Sequence, residues 1–414
     1  MPASPVLTKS MNLITAWFGL MLGIMVVVPS TFSVFFDDVA KEFDWNRAQV
    51  SLAFSLFMLA SAIAFPFVGR LVDRIGARKI IIPCILIFMT GTLSLKYLVD
   101  SLWLYYATFI VIGVAAVGTS TLTYFQVVTR SFTMKRGLAL GVANSGTGVG
   151  AWCFPIIGYL LLEAFGWRNA YLILGIGITI ISIPVVLVGL NDKYIDSPQA
   201  DTGPELQQST LAEDVSMSEA LASKTFWIIG IAFFCGATTL IAFLIHMVPL
   251  LTDRGLSLQT AALAASTFGV AQFCGRLIAG YLLDKLNAAY IAAGLWLMTT
   301  IIFLILGTGV SGKTLLVATA MLGLAWGSEG DVLGYFVGRY FGLKNFGVIY
   351  GSLLTMHLLG GVVGPYVLGL GFDSFGSYTV MLVGMAAITT FAAVLILFVG
   401  PYPTASANTK VKQP

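Results

Sequence analysis

The stretch GRLVDRIGARK (69–79) has a partner later in the chain, GYLLDK (280–285), in which Gly, Leu and Asp recur at an offset of 211. Working outward at that offset, Leu52, Ala53 and Ser55 match Leu263, Ala264 and Ser266. Pro155 and the pair Phe165-Gly166 match Pro365 and Phe375-Gly376 at an offset of 210. Each match alone is weak, but a nearly constant displacement across long stretches indicates an internal duplication. Both copies of the loop lie between long apolar runs, so the repeat unit is a set of membrane-spanning helices.

Composition agrees. Of 414 residues, 58% are hydrophobic and only 10% charged, which excludes an ordinary soluble surface. The net charge is +3, with no basic cluster of the kind nucleic acid requires. Four cysteines (Cys84, Cys153, Cys235, Cys274) lie within apolar segments without CxxC spacing and read as small buried hydrophobes. Breaks at charges, Gly and Pro mark twelve spans, at 12–36, 49–69, 79–98, 103–128, 137–162, 169–190, 225–251, 258–283, 288–308, 314–338, 345–371 and 377–399. These give an all-α membrane protein of twelve transmembrane helices in two pseudo-symmetric six-helix halves, residues 1–190 and 225–414. The acidic, proline-containing segment 191–224 is read as a cytoplasmic linker between them. With the N-terminus inside, fifteen Lys and Arg fall on the cytoplasmic side and six on the other, so both termini are expected in the cytoplasm. The first run has no cleavage site and is read as a retained span.

The segment 69–79 closely resembles the signature loop of the major facilitator superfamily. That resemblance implies a cytoplasmic gating motif carried by Gly69, Asp73, Arg74, Gly76 and Arg78, which latches the inner side during alternating access. A narrower resemblance lies in SFTMKRGLALGVA (131–143), which is similar to the signature of the monocarboxylate transporters, and in Asp44-Trp45, similar to a shortened form of their other motif. An arginine in span 8 is shared with those carriers and with the oxalate–formate exchangers. The exchangers also place a lysine in span 11, where this chain has only His357. The implied function is secondary transport of a small organic anion, a monocarboxylate, by proton symport in a plasma or bacterial inner membrane. Anion exchange without proton coupling is the alternative, and a transporter-fold sensor a more distant one.

The residues themselves support an anion. Arg276 stands in TFGVAQFCGRLIAGYLLD (267–284), where a charge persists only if it faces a polar cavity or a partner. Its guanidinium cannot lose its charge, and its planar fork matches a carboxylate. Gln272 lies one turn away. Two readings follow: Arg276 binds substrate, or it pairs structurally with Glu329 or Asp331 in GSEGDVLGYF (327–336), which lie at the same apparent depth. Those acids point about 200° apart around their helix, so one is expected to pair while the other carries a proton. His357, near the midplane, is read as a second, titratable donor beside Arg276, or as a bridge between helices. His246 is read as an outer gate or proton entry, or as an interfacial histidine. In the first half Tyr124 and Asn144 are candidates for orienting substrate. No nucleotide motif, metal cluster or nucleophile–base pair is present, so no cofactor is expected, and the chain reads as a non-enzymatic, monomeric carrier whose partners are a carboxylate, a proton and the lipid bilayer.

Overall fold

The computed structural model describes residues 5–132, 136–190, 215–283, 285–342 and 345–402. Ten helices among them are long and apolar enough to cross a bilayer. One of the ten, Ala139–Gly189, folds at Gly166 into spans 5 and 6, and Lys313–Phe341, 29 residues long, supplies span 10. Twelve spans result. Spans 2 and 3 are Arg47–Ile75 and Arg78–Tyr97; spans 7, 8 and 9 are Lys224–Asp253, Leu258–Leu283 and Ala288–Gly307; spans 11 and 12 are Phe346–Phe375 and Thr379–Leu397.

The turns repeat along with the sequence. Gly166 has φ +74° and Gly376 φ +66°, in the region that favours glycine, and both follow the phenylalanine conserved between the copies. Gly76 closes span 2 with φ +89°, and its N–H bonds Val72 O at 2.9 Å.

Spans 1 and 4 are not the continuous helices expected. Span 1 is Pro5–Met21 followed by Ile24–Phe43, and span 4 is Leu102–Gly118 followed by Thr121–Ser131. The two breaks face each other: Ile24 N, at the start of the second helix of span 1, donates to Thr119 Oγ1 at 3.2 Å. A helix broken within a membrane has lost backbone bonds that no lipid can replace, so a neighbouring hydroxyl must supply the partner. Of the segment expected to be a linker, 191–214 lie outside the described residues. Residues Met217–Ala222 form a short helix, preceded by Val215, whose N–H bonds Phe341 O at 3.1 Å and whose carbonyl accepts from Asn345. The chain just before span 7 is thereby tied to spans 10 and 11.

Small residues bring the halves together. A Cβ at Gly269 of span 8 would meet the backbone of Ala151 and Trp152 in span 5, and one at Gly369 of span 11 would meet Ala48 of span 2. Such close backbone approach is how membrane helices associate without a hydrophobic driving force.

Candidate functional site

Between the halves lies a cavity of about 120 Å³, measured for the centres of water-sized molecules. Span 1 contributes Ser30 and Ser33, span 5 Thr147, span 8 Phe268 and Gln272, and span 10 Trp326, with apolar side chains completing the wall. Among the described residues no charged side chain lines it. Arg276 is half-buried and lies one helical turn beyond Gln272 on the same side of span 8, toward the end that carries the chain termini. A solute in the cavity therefore meets hydroxyls, an amide and aromatic faces first, with one guanidinium a turn away.

Span 10 is pressed onto span 8. A Cβ on Gly327 would collide with the carbonyl of Gln272, one on Gly323 with that of Phe268, and one on Gly275 with Leu324. Ser328 Oγ adds a hydrogen bond to Gly275 O at 3.1 Å. These contacts set the rotation of span 10 and turn Glu329 into the second half. Glu329 is 5% exposed; its Oε1 accepts from Trp296 Nε1 at 3.3 Å and its Oε2 lies 4.0 Å from His357 Nδ1. The partners described for Glu329 are thus Trp296 and His357, rather than Arg276. The side chain of Asp331 lies outside the described residues.

His357 reaches Glu329 because span 11 lies directly on span 7. Gly360 and Gly364 approach the backbone of Phe234 and Thr238. The pocket around Glu329 is walled by Phe233, Ala292, Leu295, Trp296, Ala325 and Val332, all from the second half.

The first-half candidates separate. Asn144 is half-buried beside cavity-lining Thr147, whose hydroxyl donates to the Asn144 carbonyl at 2.7 Å. Tyr124 is 1% exposed with its ring against Gly19, away from the lining residues. In the loop from Gly69 to Arg78, Asp73 and Arg74 are exposed, Arg78 is half-buried, and Gly69 makes ordinary contact with Leu122. Residues 133–135 of the 131–143 motif and Asp284 of the second loop copy lie outside the described residues.

His246 is fully buried. Its Nε2 lies 2.9 Å from Ser51 Oγ and 3.0 Å from Pro365 O, and its Nδ1 lies 2.8 Å from Tyr378 OH. Tyr378 leads to a network that the residue-by-residue reading missed. Arg47 donates to Asp253 through both terminal nitrogens and to Tyr378 OH at 2.7 Å, stacks over Phe372, and lies 3.6 Å from Asp37. Asp373 accepts from the backbone N–H groups of Arg47 and Ala48 at 3.0 and 2.8 Å, closing the start of span 2 from the other half. The signal was present in the sequence: a cation in the first turn of a helix sits against the positive end of its dipole and needs acids nearby.

The sequence model of the Major Facilitator Superfamily matches residues 13–365. The chain is 26% identical to human monocarboxylate transporter 11 over 83% of its own length and 73% of that protein. It is 25% identical to the oxalate:formate antiporter of Oxalobacter formigenes over 93% and 91% of the two chains. It is 24% identical to a probable sulfoacetate transporter of Cupriavidus necator over 96% and 95%. Among solved structures, a bacterial homologue of the human lysosomal transporter Spinster superposes with a TM-score of 0.71 at 16% identity, covering 97% of this chain and 100% of that one.

Proposed function

This chain belongs to the Major Facilitator Superfamily, and from that premise we propose that it carries a small organic anion, a monocarboxylate, together with a proton by alternating access. The observation that carries the reading is Arg276, one helical turn from cavity-lining Gln272, next to a cavity whose described lining is uncharged. A guanidinium beside the cavity offers a carboxylate a planar, permanently charged pair of donors. The names of the relatives support the class, since monocarboxylate, oxalate, formate and sulfoacetate are all organic anions.

Proton coupling is assigned to Glu329, which is 5% exposed and does not line the cavity. A proton offsets the anion's charge during crossing. Gln272 and Asn144 orient the substrate, the loop from Gly69 to Arg78 latches the inner side, and both termini lie in the cytoplasm of a plasma or bacterial inner membrane. Each half supplies one wall of the cavity, so a single chain contains a complete path. Exchange of anions without proton coupling is the second reading, favoured by the likeness to the oxalate:formate antiporter along nearly the whole chain. Uptake into proteoliposomes separates the two. Symport gives accumulation driven by a pH gradient with no anion inside, whereas exchange requires internal anion and ignores the gradient.

A further inference from the structure

Glu329 and His357 meet in an arrangement that neither completes alone. Among the described residues, Oε2 of Glu329 has no hydrogen-bond partner, and neither has Nδ1 of His357, 4.0 Å away. Neutral imidazole has one N–H; with that hydrogen on Nε2, the lone pair of Nδ1 faces the carboxyl group.

In that form, without a further proton, two acceptors confront each other, with Glu329 in a pocket walled by Phe233, Ala292, Leu295 and Val332. Burial without a donor costs both groups, and the low dielectric strengthens their repulsion. One proton removes both deficits. It sits on Oε2 and donates to Nδ1, or on Nδ1 and donates to the carboxylate, and the pair closes from 4.0 Å by a small side-chain rotation. A second proton would set two donors face to face and leave a buried cation uncompensated. Span 9 adds only the neutral Trp296 donor, span 7 adds Phe233 and Gly236, and among the described residues the pocket has no other ionisable side chain.

We propose that Glu329 and His357 together form a site for one proton, placed behind the cavity wall inside the second half. This rests on the proton-coupled reading above, and it makes His357 the partner of the coupling acid rather than a second cation for the substrate. The site communicates with the cavity through span 10, where Trp326, which lines the cavity, precedes Glu329 by three residues. A substrate that shifts Trp326 shifts the carboxyl relative to His357, so proton and anion occupancy are linked without direct contact. Gly236 makes the site possible, because a Cβ there would run into the Glu329 carboxylate and the Trp296 indole.

The test compares wild type with Glu329→Gln and His357→Gln, the latter keeping a polar side chain while removing the ring and its Nδ1. Infrared difference spectra between acid and neutral pH, on purified protein in lipid nanodiscs, read the carboxyl group without any substrate. The Glu329 signal, identified by its loss in Glu329→Gln, should change position or appear anew in His357→Gln. An identical signal in wild type and His357→Gln, or no signal removed by Glu329→Gln in either background, overturns the shared site. In proteoliposomes, one pH unit of gradient should sustain up to about tenfold accumulation in wild type and none above equilibrium in either variant. Accumulation by His357→Gln at the wild-type level, or accumulation driven by sodium instead, also overturns it. If wild type moves no anion at all, the proposed function fails, while the infrared comparison still decides whether the two residues share a proton.

Discussion

Arg47 of the first half holds Asp253 of the second in a two-pronged ion pair, with N–O distances of 2.6 and 2.8 Å. The pair sits at the end of the bundle opposite the termini, together with Asp37, Asp373 and Tyr378. Around it the halves are further joined by Val248 N donating to Ser33 Oγ at 3.1 Å and Thr252 donating to Asp37 at 3.2 Å. That end is closed.

Removing the Arg47 side chain should therefore open it. Charge-assisted hydrogen bonds contribute about 1.5–3 kcal/mol each, so Arg47→Ala should shift the balance between end states by about tenfold or more. The readout is labelling of Ser30→Cys, a cavity position, by a membrane-impermeant thiol reagent added outside, with the four native cysteines replaced. An unchanged labelling rate in both Arg47→Ala and Asp253→Asn would show that the pair does not hold the gate.

A disulfide across the same closure should stop the transport cycle. Ala48 and Gly369 touch through their backbones, so Ala48→Cys combined with Gly369→Cys should lose transport on oxidation and recover it on reduction. Continued transport with the crosslink formed would mean that spans 2 and 11 need not separate.

At Arg276, the fork should matter as much as the charge. Arg276→Lys keeps a cation but loses the two-pronged grip on a carboxylate. Its KM for the native anion should rise by about tenfold, a loss of roughly 1.4 kcal/mol, and Arg276→Gln should abolish saturable transport. Full-rate transport by Arg276→Gln, at wild-type expression, removes this residue from the substrate path.

Gly327→Ala tests whether the rotation of span 10 is fixed by its contact with span 8. The new methyl would collide with the Gln272 carbonyl, and forced overpacking costs about 1–3 kcal/mol. A lower Tm in detergent and a weakened proton-driven accumulation are expected together, because Glu329 turns with the helix. A normal Tm would show that spans 8 and 10 separate readily there.

Thr119→Val keeps the shape of the side chain but removes the acceptor of Ile24 N–H. An unsatisfied buried donor costs about 1–3 kcal/mol, so the Tm should fall, whereas Thr119→Ser should restore it. Equal stability of the valine and serine variants would mean that the break in span 1 has another partner.

The candidate site was legible in its residue types and depths but less so in its pairings. Arg276, Glu329 and His357 stand out from sequence because ionisable groups in apolar runs are expensive. Counting residues along spans 8 and 10 gave Arg276 and Glu329 the same depth, which made their pairing reasonable. Depth says nothing of rotation, however, and the glycine contacts of Gly323 and Gly327 turn Glu329 toward Trp296 and His357. The three partners of His246 come from spans 2, 11 and 12, which no local pattern connects.

What the sequence by itself determined was the number of spans, their duplication and the glycine turns at Gly76, Gly166 and Gly376. Those follow from the apolar length a bilayer demands and from backbone angles that glycine tolerates best, and both are local properties. The tertiary structure alone decided the breaks in spans 1 and 4, the closure around Arg47 and the Glu329–His357 contact. Each depends on how one helix is rotated and set against another. That rotation is chosen by backbone-to-backbone packing between residues far apart in the chain, so the spacing within any single helix carries no record of it.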